Sequence, residues 1–420
     1  MIEIKPQKIV NNMVTVPGSK SYTHRVLITA ALSDGICTIE NCLKSEDTAL
    51  TQNALKQMGV RIEEHNHQLQ VYGTKGELQP SGDPVFLGNS GTSMRLLTSV
   101  AALAKGTYTL TGTSRMKQRP IQDLLDGLNQ IGVLARCINN NDCPPVEIQG
   151  GTIKGGRISL NCNNSSQYLS SLLLIAPCTQ EGLEITVTHG PVSKPYVDMT
   201  IDIMARFGIT VTRDEYTRFQ IAGSQAYRAG SYMVEPDCSQ AGYFWAAAAI
   251  TGATVTVQGI TKNTRQGDIR FTKILEAMGC KVAHQKDGIA VTGDKLSAIE
   301  VDMADMPDLV PTLSVVAAFA QGATVIRNVA HLKAKESDRL GSVVTELKKM
   351  GIQATATDSD MIIQGGRPAG AVINTYNDHR IAMSFALAGL VVPGVIISDE
   401  KCVGKSFPDF WKVFGGLFQP

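Results

Sequence analysis

The sequence lacks the marks of several protein classes. Its nine cysteines are an odd number and include no C-x-x-C pair. That argues against a disulfide framework and for reduced thiols, so a cytoplasmic location is expected. No apolar run reaches 18 residues without a polar break, so no membrane span is expected. The opening MIEIKPQKIV has no apolar segment of signal-peptide length. Net charge is only +1, which disfavours a general nucleic-acid or membrane surface. His65 and His67 have metal-like spacing on one strand face, but without a third ligand nearby they read as a solvated strand, and no metal is expected.

What is present is a long internal repeat. LKQMGVRI, LNQIGVLA, MARFGITV, LEAMGCKV and ELKKMGIQA place glycines at 59, 132, 208, 279 and 351, at intervals of 73, 76, 71 and 72 residues. A second series, Gly35, Gly106, Gly182, Gly252, Gly322 and Gly394, precedes apolar strands at intervals of 71, 76, 70, 70 and 72. Two series at one period give six units, each longer than a typical solenoid repeat. Each unit reads as a polar helix start, an apolar helix, Gly, a strand, an amphipathic helix, Gly and further strands. The first helices, such as CSQAGYFWAAAAITG (238–252), are apolar on every side and are expected to be buried, with Trp245 in the core. With 420 residues, two domains of three units each are expected, crossing at Pro17-Gly18 and Pro236-Asp237. One lobe is then 18–236, the other 1–17 plus 237–420. The fold class is α/β, two-lobed, with inner helices and sheets outside.

The helix starts carry the chemistry. Ser19, Ser90, Ser165, Asp237, Asp308 and Asp378 sit where N-caps are wanted. Capping does not explain Lys20, Thr92, Gln167 and Arg380 in the same turns, because a cation at a helix N-terminus is repelled unless an anion lies there. In HLKAKESDRLGSVVTELKKMG (331–351), Lys335, Glu336, Asp338 and Arg339 crowd the start of a helix whose stripe is Leu340, Val343, Val344, Leu347 and Met350. Many cations and neutral donors predict a substrate pair with several negative charges. Asp308 and Glu336 would be a cost beside anions unless they move protons. Cys238, at another helix start, is a position where a thiol pKa can be lowered. Arg95 and Lys194 either join the set or lie on the surface.

Eight stretches in order, PGSKSYTHR (17–25), GNSGTSMR (88–95), RMKQRPI (115–121), SSQYL (165–169), VSKPYVD (192–198), KESDR (335–339), NDHR (377–380) and KSFPDF (405–410), resemble the signatures of the 5-enolpyruvylshikimate-3-phosphate synthase family. The resemblance spans essentially the whole chain. It implies two lobes of three βαβαββ units each that close on one another, and no cofactor or metal. It implies transfer of the enolpyruvyl group of phosphoenolpyruvate to the 5-hydroxyl of shikimate 3-phosphate, a step toward chorismate and the aromatic amino acids, by a cytoplasmic monomer. Carried over residue by residue, shikimate 3-phosphate falls to Lys20, Ser21, Arg25, Ser165, Ser166, Gln167, Ser193, Tyr196, Asp308, His331 and Lys335. Phosphoenolpyruvate falls to Lys20, Asn89, Gly91, Thr92, Arg119, Gln167, Arg339, Arg380 and Lys405. The implied catalytic residues are Asp308 as base, Glu336 as proton donor and Lys20 as their assistant. The matching glycine, Gly91, borders the site that the inhibitor glyphosate also occupies.

Two positions depart from the family pattern: His331 stands for a common Asn, and Leu96 for a common Pro. A UDP-N-acetylglucosamine enolpyruvyl transferase is the alternative in the same fold. It is disfavoured because the helix starts with Gly18-Ser19-Lys20-Ser21 and the loop 113–120 has no cysteine. A non-catalytic anion-binding scaffold is disfavoured by Asp308 and Glu336.

The cations fall in both expected lobes, Lys20, Arg25 and Arg119 in one and Lys335, Arg339, Arg380 and Lys405 in the other. A polyanionic ligand should turn their repulsion into attraction. Small-angle scattering is therefore expected to give a smaller radius of gyration with shikimate 3-phosphate; an unchanged radius would count against hinge closure.

Overall fold

The computed structural model describes residues 1–66 and 68–418. His67 of the histidine pair lies outside them, while His65 is exposed with its ring nitrogen 3.3 Å from Glu63. The chain divides into two compact units, Gly18–Val234 and Met1–Pro17 with Glu235–Pro420. Each has its own core, one built from residues between Tyr22 and Val234, the other from Ile4 to Val16 and Cys238 to Leu417.

Among the described residues six small sheets carry the repeat, five of four strands and one of three. In every sheet one pair of strands is parallel and the other pairings are antiparallel. A parallel pair needs a crossover, and the inner helix supplies it. Thus Val85–Phe86 leads through the helix Gly91–Leu103 to Gly106–Thr111, its parallel neighbour. The parallel partner of the first repeat comes from the far end of the same unit, where Ser231–Met233 pairs with Thr38–Glu40. In the other unit the N-terminal segment fills two gaps. Met13–Val14 joins the fourth sheet, and Ile2–Ile4 pairs with Val395–Ile397 in the sixth.

The inner helices Lys20–Ala31, Gly91–Leu103, Gln167–Ile175, Cys238–Thr251, Val310–Ala317 and His379–Ala386 are buried on nearly every side. Trp245 is fully buried and its indole N–H donates to the Ile289 carbonyl at 3.1 Å. The outer helices bury one stripe. In Arg339–Lys349 that stripe includes Leu340, Val343, Val344 and Leu347. Of the eleven glycines in the two sequence series, all but Gly35 have positive φ, between 72° and 117°. They end helices where an L-residue would be strained.

A third glycine series became visible only in the structure. Gly73, Gly150, Gly293 and Gly365 close the last strand of their repeats against the end of the inner helix. A Cβ there would lie 2.3, 2.1, 2.2 and 1.9 Å from the backbone oxygens of Ser33, Ala104, Ala248 and Ala320. Backbone cannot yield as a side chain can, so this contact fixes how closely strand and helix pack. Gly365→Ala is therefore expected to destabilise by about 3 kcal/mol or more. Gly351→Ala, with positive φ but open space around it, should cost only about 1 kcal/mol. Denaturant unfolding of the two variants checks the order; equal losses would refute the packing argument.

Candidate active site

In the unit Gly18–Val234 the site residues expected from the sequence lie at or near helix starts. Ser19 caps Lys20–Ala31 by accepting the Tyr22 N–H. Lys20, the first helical residue, is buried and pairs with Asp47 at 3.3 Å. Asp47 belongs to the next helix, Glu46–Gln57, and was not among the sequence candidates. Its carboxylate offsets the cost of a cation at a helix start.

Arg25 is 1% exposed. Its Nε donates to the Thr200 hydroxyl at 2.7 Å, and its other nitrogens to the Ser21 carbonyl, the Ser170 hydroxyl and the Tyr196 carbonyl at 2.9, 3.3 and 3.0 Å. Burial pushes its pKa down to about 10. Arg25 thus ties together Ser21 and Tyr196, two other predicted site residues. Ser193, three residues before Tyr196, is buried with φ of 55°.

The second and third inner helices meet through Gln167, whose Nε2 donates to the Thr92 hydroxyl at 3.0 Å. Gln167 accepts from Arg95 at 3.0 Å, while its own backbone N–H donates to the Ser165 hydroxyl at 3.2 Å. Ser166 is buried beside it. Arg95, ambiguous in the sequence, is thereby a buried brace, and its guanidinium also reaches the Pro120 carbonyl at 3.2 Å. Lys194 is exposed, its ammonium 5.3 Å from the ring centre of Tyr216. Leu96 is core, and its carbonyl accepts from the Ser171 hydroxyl at 3.2 Å.

Arg119 is buried and donates to the Asn89 carbonyl and to its side-chain oxygen at 2.9 and 3.3 Å. It lies directly against Gly91, where a Cβ would sit 2.4 Å from Nη2 and 2.7 Å from Cζ. Gly91 is therefore needed for the guanidinium to lie over the helix start, and the sequence had shown only that a ligand could approach there.

In the unit of residues 1–17 and 235–420, one guanidinium organises the site. Arg339, 1% exposed, places Nη1 at 2.9 Å from Asp308 and Nη2 at 2.7 Å from Glu336. Its Nε is 2.8 Å from Asp378. Burial opposes its charge, but Asp378, Glu336 and Asp308 together raise its pKa above the ordinary value. Arg380 holds the other oxygen of Asp308 at 2.7 Å and donates to the Tyr243 hydroxyl at 3.3 Å. Asp308 sits in the turn Pro307–Leu309 before the fifth inner helix and makes no side-chain cap, so its carboxylate is turned to the two arginines.

Asp378 was read from the sequence only as a helix cap. It does cap, accepting the Arg380 N–H at 3.0 Å. Fully buried, it also accepts from the Ser337 hydroxyl at 3.0 Å and from Arg339. The available signal was an aspartate between two helix starts that each carry an arginine. Lys405 is buried at the end of Glu400–Lys405, which packs on His379–Ala386. His331 is buried in the turn Ala330–Ala334, ahead of the helix of Arg339; burial, then Lys335, pushes its pKa down to about 3, so it is neutral at physiological pH.

Two titrations differ from simple expectation. The Cys238 thiol is pushed well above its ordinary value by burial and by Asp268, Asp237 and Glu235, which corrects the idea of an activated thiol at that helix start. Asp268 accepts from the Ser239 hydroxyl at 2.7 Å, and burial, then the nearby Asp308, raises its pKa to about 7. Among the described residues no group of three or more His, Cys, Asp or Glu side chains could hold a metal ion.

The family model for EPSP synthase (3-phosphoshikimate 1-carboxyvinyltransferase) matches residues 4–414. The 3-phosphoshikimate 1-carboxyvinyltransferase of Nostoc sp. is 42% identical over 408 residues, 96% of either chain. That of Syntrophobacter fumaroxidans is 43% identical over 420 residues, 99% of either chain. The solved EPSP synthase of Acinetobacter baumannii superposes with a TM-score of 0.82 at 29% identity, covering 99% of this chain and 97% of that one. Matches of this length, on a chain whose eight motifs lie at the helix starts just described, show that it belongs to the EPSP synthase (3-phosphoshikimate 1-carboxyvinyltransferase) family.

Proposed function

We propose that the residues gathered at these helix starts carry the family's reaction in this chain. The chain transfers the enolpyruvyl group of phosphoenolpyruvate to the 5-hydroxyl of shikimate 3-phosphate and releases phosphate. The alternative acceptor, a UDP-linked sugar, is not favoured, since the matching relatives are named 3-phosphoshikimate 1-carboxyvinyltransferases. The observation that supports the assignment of roles is the fork of Arg339, which sets Asp308 and Glu336 on adjacent prongs.

In this reading Asp308 takes the proton of the 5-hydroxyl as that oxygen bonds to the central carbon of phosphoenolpyruvate. Glu336 gives a proton to the methylene carbon, which becomes a methyl group. The tetrahedral adduct then breaks its bond to the phosphate oxygen, and the methyl group returns a proton as the double bond reforms. Developing positive character at the protonated enol ether is stabilised by a nearby carboxylate. Lys20 assists at this centre or at the departing phosphate. Lys20, Asn89, Gly91, Thr92, Arg119, Gln167, Arg339, Arg380 and Lys405 bind phosphoenolpyruvate. Lys20, Ser21, Arg25, Ser165, Ser166, Gln167, Ser193, Tyr196, Asp308, His331 and Lys335 bind shikimate 3-phosphate, with Arg25 acting chiefly by holding Ser21 and Tyr196. The same proposal makes the chain a cytoplasmic monomer, a location in keeping with its free cysteines. No helix among the described residues is long and apolar enough to cross a membrane.

Asp308→Asn and Glu336→Gln, which keep shape but remove proton transfer, should each lower turnover by at least about 100-fold. Binding of shikimate 3-phosphate should survive Glu336→Gln. Phosphate release and equilibrium binding measure the two; near-normal turnover of either variant would sink its assignment.

Gly91→Ala must push the Arg119 guanidinium aside, a movement open to the end of a flexible side chain. Steady-state kinetics should show the KM for phosphoenolpyruvate rising a few-fold and the inhibition constant of the longer glyphosate rising by about tenfold or more. Equal changes would mean that Gly91 shapes the helix start without selecting between the two ligands.

A further inference from the structure

The helix Arg339–Lys349 carries a second buried charge, and nothing in the chemistry above uses it. Glu346 is fully buried. It lies seven residues after Arg339, two helical turns along the same face, about 10 Å along the axis. Its Oε2 accepts the Asn374 N–H at 3.1 Å, and its Oε1 accepts the Tyr376 hydroxyl at 2.6 Å. Lys349 lies 2.9 Å from both oxygens. A buried carboxylate with this many donors is satisfied as a charge.

The loop that Glu346 grips is the one that delivers Asp378 and Arg380. Tyr376 and Asn377 both have positive φ, 54° and 53°. Consecutive left-handed residues without glycine are held only where their surroundings over-determine them, and an aromatic side chain is an unusual occupant. The Asp378 N–H closes this turn on the Thr375 carbonyl at 2.8 Å. Asp378 then takes Arg339 and caps the helix that begins with His379 and Arg380. One helix therefore holds one loop at two points with opposite charges. Arg339 takes it through Asp378, and Glu346 takes it through Asn374 and Tyr376.

We infer that Glu346 is a positioning residue for phosphoenolpyruvate: by fixing the left-handed Tyr376–Asn377 turn against the helix of Arg339, it sets the register in which Asp378 aims Arg339 and Arg380 leaves its helix start. The inference rests on the proposed assignment of Arg339 and Arg380 to phosphoenolpyruvate. If Glu346 lets go, Asp378 and Arg380, two and four residues beyond Tyr376, move together. Of the residues assigned to shikimate 3-phosphate in this unit, His331 and Lys335 lie outside the loop, and Asp308, which Arg339 and Arg380 both hold, is carried by the separate turn Pro307–Leu309.

The test compares Glu346→Ala, Glu346→Gln, Tyr376→Phe and Arg380→Lys in the full-length chain, with thermal melting beside kcat and both KM values. Gln keeps the shape of Glu346 and can still accept the tyrosine hydroxyl, but its amide meets the Asn374 N–H donor to donor. Glu346→Ala should raise the KM for phosphoenolpyruvate by about tenfold, the scale of one lost buried hydrogen bond. Tyr376→Phe and Glu346→Gln should raise it by smaller factors in the same direction. The KM for shikimate 3-phosphate should stay within about twofold, a split that general loosening of the fold would not give. Should Glu346→Ala fail to fold, the milder pair decides. An unchanged KM for phosphoenolpyruvate in both of them overturns the inference, as does an equal rise of both KM values. Arg380→Lys separates the layers: if it leaves the KM for phosphoenolpyruvate unchanged, the site assignment itself falls and the inference falls with it.

Discussion

The unit of residues 1–17 and 235–420 depends on a buried guanidinium shared by three carboxylates. Burying Arg339 alone would be prohibitive, and burying Asp378, Asp308 or Glu336 alone nearly as much so. Together they offset one another, and the planar fork fixes where each carboxylate sits. Positions follow from that. Asp308 is turned away from the helix it precedes, Glu336 is held within a turn of Arg339, and Asp378 ties the last inner helix to the outer helix of the repeat before it. Such a network is a costly way to stabilise a fold but an effective way to specify geometry. Its members would each be badly placed without the others.

The other unit solves the same problem with neutral donors. Its inner helices start with serine, asparagine, threonine and glutamine, with Gln167 bonded to Thr92 across helices, and its buried arginines are braced by backbone carbonyls. Arg25 shows the difference most clearly. It makes no ion pair of the kind that surrounds Arg339, and burial lowers its pKa. A guanidinium satisfied by hydroxyls and carbonyls keeps its positive charge uncompensated, which suits the binding of a phosphate-bearing ligand in the proposed role.

Much of this was legible in the sequence because the repeat writes each element six times. The apolar helices, the glycines that end them and the polar residues at their starts recur at one period, so the inner helices could be read from spacing. The predicted donors and cations sit at those starts, Lys20, Asn89, Gln167 and Arg380 among them. What could not be read depends on contacts between repeats. Asp378 looks like any N-cap until Arg339 is seen beside it. Asp47 and Glu346 are helical carboxylates of ordinary appearance, and only burial shows that Lys20 and the Tyr376 turn depend on them. The third glycine series escaped notice because a glycine at the end of a strand is common. Its reason, a backbone carbonyl oxygen at or near a helix end within 2.3 Å of the missing methyl group, exists only in three dimensions. Cys238 went the other way, since helix position suggested a lowered thiol pKa, and burial, with the nearby carboxylates, raises it.

The placement of the N-terminal strands has a consequence for how the protein is made. Ile2–Ile4 and Met13–Val14 belong to sheets whose other strands lie beyond residue 250. The unit Gly18–Val234 contains all of its own strands and can complete its sheets while the rest of the chain is still being synthesised. The N-terminal strands must instead wait for their partners, Met13–Val14 until the fourth repeat is made and Ile2–Ile4 until the sixth. These short strands, with Lys5, Pro6, Gln7, Lys8, Asn11 and Asn12 between them, are poor templates for pairing with other chains. Vectorial synthesis thus allows Gly18–Val234 to complete its sheets before the segments that flank it.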